Sequence, residues 1–309
     1  MHSIQEKSVI SQIPGRVIHL NENFDVPVCT PEFRKSNGSY LKRRGLLLLN
    51  RFLQTGCFET IGSPWFPGFW MLSRAQALEF SVDQKLNASS LNLVVTHEPM
   101  NDDRWFSFKG EPFMVVENEW SSFEQYADTM KKKYRARLKK AMRLEEQVDI
   151  RVLDEEHYSS CAMLLERTLM DKVVVLPRNL ESLLQRYKEV FSEKFVLHGF
   201  FVKDELVGFI STVEDGQTLR AMHYGAGEAA PEGMYSLAMF HVIRNGIGLD
   251  LQHINLGRTA TEIKSTYGAV AHENYFSFFT GNRFFRILLK IASKRYKAKE
   301  YVLRSPFKS

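Results

Sequence analysis

The stretch Ile254–Ala269, INLGRTATEIKSTYGA, limits what this chain can fold into more than any other segment. A short apolar strand runs into Gly257, and the polar turn after it carries Arg258 and Thr259 ahead of a helix start at Lys264. The strand needs a sheet, and the glycine lets the backbone leave that sheet sharply. A guanidinium and an ammonium fixed beside such a turn suit an anion or a polarised carbonyl.

The preceding segments predict a mixed α/β fold. Phe200–Ala226 reads as two strands, FFVKDELVGFISTV and QTLRAMHYGA, joined through Asp215 and Gly216. A helix follows from about Tyr235 to Gly246. Upstream, Val148–Leu153 reads as a strand, and Tyr158–Met170 and Leu180–Val190 read as helices, the second introduced by Pro177 and Asn179. In Glu119–Ile150 the cations Lys131, Lys132, Lys133, Arg135, Arg137, Lys139, Lys140 and Arg143 crowd together. Helical spacing puts Met130, Tyr134, Leu138, Ala141 and Met142 on one stripe and leaves the cations on the other faces.

The order hairpin, loop, helix, strand, glycine, basic residue and then Lys264 with Tyr267-Gly268-Ala269 resembles the second half of the Fem-type peptidyltransferases. These and their relatives are the tandem-domain members of the GNAT acyltransferase superfamily. The basic helix supports the resemblance, because the related enzymes carry a similar helix between their two halves. The likeness covers Phe113–Phe279. It implies an α/β fold with a GNAT-like mixed central sheet flanked by helices, an abbreviated first half and a complete second half. The division it implies is an irregular N-terminal arm (1–39), the abbreviated first half (40–120), the basic linking helix (121–147), the second half (148–280) and a basic amphipathic C-terminal helix and tail (281–309).

The activity implied is transfer of an acyl group from a thioester donor, acyl-CoA or an acyl-carrier protein, to an amine acceptor, with no tightly bound cofactor. Two alternatives stay open: aminoacyl-tRNA-dependent transfer to a peptide or lipid amine, and a non-catalytic module that binds RNA or a membrane. RNA is expected as a partner only in these alternatives, and DNA in none.

Acyl transfer needs an unprotonated nucleophile, a carbonyl held in line and donors where negative charge grows on oxygen. In GNAT folds the strand after the hairpin splays from its neighbour, and here that strand is Leu219–Gly225. His223 and Tyr224 alternate along it, so one faces the cleft and the other a covering helix. A neutral imidazole at His223 can take a proton, and the Tyr224 phenol can protonate a leaving thiolate or hold the acceptor. Lys264 stands in the Lys-x-x-Phe/Tyr-Gly context that contributes to Fem active sites. Arg258 can hold a carboxylate or phosphate through two parallel hydrogen bonds, or pair with Glu262. Thr259, also an expected substrate-binding residue, and Thr261 are candidate caps for the next helix. Gly225 and Gly227 with Lys132, Lys133 and Arg137 are the expected donor-binding residues. Glu228 and Glu232 stand where a glycine-rich pyrophosphate loop would otherwise lie. The loop Gly62–Trp70, GSPWFPGFW, is too rich in proline and glycine for regular structure. Its Trp65, Phe66, Phe69 and Trp70 form either a plug or a wall of the substrate pocket.

Length and composition fit this picture without choosing it. A chain of 309 residues, 44% hydrophobic, has material for two units at about 100–200 residues each. The three cysteines are too few and too scattered for a disulfide framework, and the nine histidines form no paired metal spacing. The expectation is a reducing cytoplasm, no secretory signal and no metal. No apolar run approaches the roughly 18 residues of a membrane span. Gly281–Ser309 interleaves Phe284, Phe285, Ile287, Leu288, Leu289 and Ile291 with cations, either as a docked helix or as a reversible attachment to an anionic membrane at the inner face.

Overall fold

The structure, a computed structural model, describes residues 16–21, 24–29, 33–34, 58–61, 75, 77–78, 90–100, 102–169, 174–175 and 179–308. The chain forms two compact units, each assembled from separate pieces of sequence. The first gathers Met1–Glu111, Asp171–Arg178 and Glu273–Glu300; the second gathers Pro112–Met170, Asn179–His272 and Tyr301–Ser309.

The first unit holds a six-stranded sheet in the order β1 (Arg16–Asn21), β2 (Phe24–Cys29), β4 (Phe58–Ile61), β5 (Leu91–Thr96), β15 (Tyr275–Phe279), β6 (Trp105–Lys109). β3 (Phe33–Arg34) pairs separately with β9 (Val174–Val175). The N-terminal segment, expected to be an irregular arm with one strand at Arg16–Leu20, supplies that strand as β1 and also β2 and β3. Pro27 made β2 hard to see, since proline donates nothing to a ladder. Pro27 stands opposite Val17 of β1 and outside the β4 ladder, which reaches only Val28 and Cys29. Along β5, Asn92, Val94 and Thr96 alternate inward, and the Thr96 and Ser107 hydroxyls each lie 2.9 Å from that of Ser277. A polar seam thus ties three neighbouring strands. Helix α7 (Arg283–Arg295) closes the described part of this unit, capped by the Asn282 side chain on the Phe284 N–H.

The second unit has a seven-stranded sheet in the order β14 (Val270–His272), β7 (Phe113–Glu117), β13 (His253–Asn255), β12 (Thr218–Ala226), β11 (Glu205–Asp215), β10 (Phe195–Val202), β8 (Asp149–Leu153). β12 and β13 run parallel, and helix α5 (Met234–Gly248) crosses between them, as a parallel pair requires. The remaining ladders are antiparallel. α3 (Tyr158–Thr168) and α4 (Leu180–Phe191) cover one face. α1 (Phe123–Thr129), α2 (Lys132–Met142) and α5 cover the other, where Leu138 and Ala141 of α2 meet Phe200, Ile210, Leu219 and Ile254 of the sheet in one core. Burying such side chains contributes roughly 1.5–3 kcal/mol each. At Gly225 a Cβ would stand 2.7 Å from the Leu165 amide nitrogen, so α3 lies against β12 only because that position is glycine.

Two sequence expectations need correction. β7 falls within the stretch 40–120 expected as the first half, yet it sits inside the second sheet between β13 and β14, because its partners are remote in sequence. The apolar run from Phe200 is two strands, divided at Lys203 and Asp204, whose φ values of +50° and +62° match the tight hairpin turns that follow strand twist.

Candidate active site at the sheet fork

The site begins where two strands part. β13 pairs with β12 only at Thr218–Arg220, ending at Arg220↔Asn255, while β12 continues to Ala226. Beyond Asn255 the chain stays with β7 instead: the Leu256 N–H donates to the Met114 carbonyl at 2.8 Å, and the Met114 N–H to that of Gly257 at 3.2 Å. From Ala221 onward β12 has no strand partner on that side, and its Ala226 N–H donates instead to the Thr168 hydroxyl of α3 at 2.8 Å. A second irregularity lies opposite, where pairing jumps from Ile210↔Tyr224 to Thr212↔Ala221 and the Ser211 hydroxyl accepts the His223 N–H at 3.1 Å. Bulges of this kind re-aim side chains beside functional sites.

The other arm of the fork is strained. Gly257, Thr259 and Ala260 all have positive φ, +79°, +64° and +48°. For a β-branched threonine that conformation is an outlier costing about 1–3 kcal/mol, and it persists only where its surroundings over-determine it. Lys264 supplies that determination. From α6 (Thr261–Ser265) its ammonium donates to the Arg258 carbonyl at 2.7 Å and the Gly257 carbonyl at 3.2 Å, and the residue is 3% exposed. The Asn255 side chain accepts the Gly257 N–H at 2.8 Å. The Arg258 guanidinium lies 5.4 Å from the centre of the Phe113 ring.

The Tyr267-Gly268 pair completes the support. The Tyr267 hydroxyl meets that of Ser236 on α5 at 2.8 Å, and its carbonyl accepts the Tyr126 hydroxyl at 2.7 Å. Gly268 has φ +91°, and its missing Cβ leaves room for the Phe307 ring. That ring also packs on Trp120 and Tyr126, so the C-terminal tail is drawn into this unit.

Beside this support lies a cleft of about 510 Å³. α2 lines it with Lys133, Tyr134, Arg137 and Lys140, the start of α5 with Gly233 and Ser236, and the tail with Arg304. Glu232 and Glu262 also face it, so four cations stand against two carboxylates. Glu228, the other acid of the loop before α5, is ion-paired with Arg167 on α3. A second hollow of about 500 Å³ is bounded by Glu145–Arg151, Lys203, Asp204 and Arg244 and holds surface ion pairs such as Arg151–Asp204.

The expected residues fall into separate groups. Lys133 and Arg137 share the cleft, whereas Lys132 is exposed outside its lining. Lys264, Arg258 and Thr259 share the strained loop. Neither threonine caps α6: Ala260 holds the cap position without a side-chain bond, and the buried Thr261 hydroxyl has no partner. His223 and Tyr224 point to opposite faces, and each meets a helix. The His223 Nε2 lies 2.8 Å from the Tyr187 hydroxyl on α4, and burial lowers its pKa to about 4, so the imidazole is neutral at pH 7. Tyr224 packs edge-on against Tyr235 of α5, and burial pushes its phenol up to about 12. Gly225 receives α3, and Gly227 donates its N–H to the Val207 carbonyl. Trp65, Phe66, Phe69 and Trp70 lie outside the described residues. Among the described residues no cluster of three or more His, Cys, Asp or Glu could hold a metal, and Cys161 is a free, buried thiol.

Tyr187 and Arg304 were missed. Tyr187 follows Leu180, Leu183 and Leu184 on the buried stripe of α4, and a phenol on such a stripe signals a polar partner. Arg304 has no local signal, since the tail's docking depends on Gly268.

Residues 129–265 match the family model described as acetyltransferase (GNAT) domain. This segment is a GNAT domain. It is the domain of an acyltransferase enzyme, and the fork and bulge of β12 lie within it. Two solved structures resemble the chain over nearly its full length. L-PGS from Bacillus licheniformis is 13% identical over 95% of this chain and 96% of its own, with a TM-score of 0.56. FemX is 8% identical over 94% and 99%, with a TM-score of 0.55. At these identities the likeness shows a shared fold, a GNAT-like mixed sheet flanked by helices in a Fem-type arrangement. No curated protein matches the sequence.

Proposed function

We propose that the protein moves an acyl group from a phosphate-bearing donor, a coenzyme A thioester or an acyl-carrier protein, to an amine. The observation that carries this reading is the fork, where pairing stops at Arg220↔Asn255 while β12 runs on to Ala226, in a unit that also holds a cationic cleft lined by α2, α5 and Tyr267. The donor's phosphates bind at Lys133, Arg137 and Lys140, and its carbonyl sits against the stretch of β12 that β13 leaves unpaired, between Ala221 and Ala226, where backbone N–H groups receive the developing oxyanion. His223, buried against Tyr187 on the α4 face, supports β12 in this reading, and the attacking amine passes its proton to water. Tyr224 keeps its proton across the physiological range and is the donor for the leaving thiolate. Lys264 acts as a positioning residue that holds the strained loop, and Arg258 on that loop holds the acceptor's carboxylate or phosphate.

The aminoacyl-tRNA reading is favoured by a specific feature. Glu232 faces the cleft just ahead of α5, where a compact pyrophosphate seat would need glycines, and the cations lie instead along α2. A donor gripped over a longer polyanion suits that arrangement, and the fold shared with L-PGS and FemX agrees with it. In either form the reaction belongs in the cytoplasm, within reach of an acceptor at the inner membrane face.

Transfer assays with purified protein, an amine panel and three donor classes separate the readings. Product from acyl-CoA or acyl-carrier protein supports the thioester form. Product only from charged tRNA, abolished by ribonuclease, supports the other. No product from any donor overturns both.

A further inference from the structure

We infer that α7 is a docking surface for anionic lipid. The helix has three distinct faces. Phe285 and the buried Leu289 turn toward the first unit's sheet, where the neighbouring Tyr296 donates its hydroxyl to the Lys109 carbonyl and packs edge-on against Phe108. Arg286 adds a hydrogen bond to the Asp103 carbonyl at 3.3 Å. The helix is thus already seated by one face.

A different face remains uncovered. Phe284, Ile287, Leu288 and Ile291 recur at i, i+3, i+4 and i+7, the spacing of a single helical stripe, and are 64%, 61%, 47% and 47% exposed. Isolated exposed leucines need no explanation, but a contiguous stripe of large apolar side chains does. Beside it Arg283, Arg286, Lys290 and Lys294 form a second stripe, and the helix RFFRILLKIASKR contains no acid.

This charge pattern selects the occupant. A protein partner covering an apolar stripe is bordered by charges of both signs, whereas on this helix the bordering charges are cations alone, with Asp102 near Arg286 as the acid from a neighbouring element. An apolar band with a cationic margin matches a bilayer interface, where side chains enter the acyl boundary and cations meet phosphate head groups. The helix is short and its flanks are charged, so it lies in the interface; among the described residues no helix is long and apolar enough to cross a membrane. The inference does not depend on which donor the GNAT domain uses.

Co-sedimentation of the full chain with phosphatidylcholine vesicles, with and without phosphatidylglycerol, tests it. Binding is expected only with the anionic lipid, weakening as salt rises. Lys290→Gln with Lys294→Gln should lower the partition coefficient about fivefold for each cation removed. Phe284→Ser with Ile287→Ser should abolish binding with an unchanged circular dichroism spectrum. Absence of wild-type binding to anionic vesicles at low salt overturns the proposal. So does full binding by the folded serine variant, or a dimer that the serine substitutions split while vesicles are ignored.

Discussion

Helices α2 and α7 are written in nearly the same residues and use them differently. α2, KKYRARLKKAM, and α7, RFFRILLKIASKR, both lack acids and both place apolar residues among cations at helical spacing. In α2 the apolar positions Leu138 and Ala141 are buried against α5 and the sheet, and the cations border a cleft. In α7 only Leu289 is buried, and a full apolar stripe faces outward. Amphipathic periodicity fixes where the stripes lie on a helix. The partner surface decides which stripe is spent on folding, and so whether the cations meet a small donor or an extended surface.

The contrast breaks most visibly in acid. His198, His223 and His241 lie in the same unit as α2, and burial lowers their pKa values to about 4, about 4 and about 3. His198 and His241 meet edge to face at 4.6 Å beside Asn245, and Arg244, paired with Glu145, lies 3.3 Å from His241. Unfolded histidines titrate near 6.5, so between about pH 6.5 and 4 the unfolded chain binds more protons than the folded one. Stability therefore falls as pH falls through that window. The α7 cations do not titrate there. We expect circular dichroism to report loss of the α2 unit before pH 4, and His241→Asn to flatten the slope; stability that stays level down to pH 4.5 contradicts this.

A smaller effect separates the two helices at neutral pH. Leu138→Ala should destabilise by about 2–5 kcal/mol through lost burial and a cavity. Ile287→Ala should stay within about 0.5 kcal/mol, as exposed substitutions do. Urea denaturation of both variants measures the difference, and comparable losses would mean that α7 is packed as α2 is.

Much of the second unit was legible because its signals are local: the alternating strands around Asp215-Gly216, the glycine at 257 and the α2 stripe. The fork could be expected from the Fem-type likeness, and its exact partners could not. β7 entering beside β13, the chain returning to the first unit at Glu273 and to the second at Tyr301, and Phe307 settling at Gly268 all depend on contacts between remote segments. The role of Lys264 was visible only in part. Its sequence context marked it as special, whereas its bonds to the Gly257 and Arg258 carbonyls depend on a left-handed loop that no propensity predicts. His223 was legible as a strand histidine, but its Tyr187 partner comes from a helix far upstream.

The central claim, that the cationic α2 cleft receives the donor's phosphates, is tested most directly by donor affinity. Native mass spectrometry or calorimetry should compare wild type, Lys133→Gln/Arg137→Gln and Lys290→Gln/Lys294→Gln against acyl-CoAs, acyl-carrier proteins and aminoacyl-tRNA. The account predicts a wild-type complex with at least one donor, weakened about tenfold or more by the α2 pair, as loss of charge-assisted hydrogen bonds requires, and unchanged by the α7 pair. Equal affinity in the wild type and the α2 variant would contradict it.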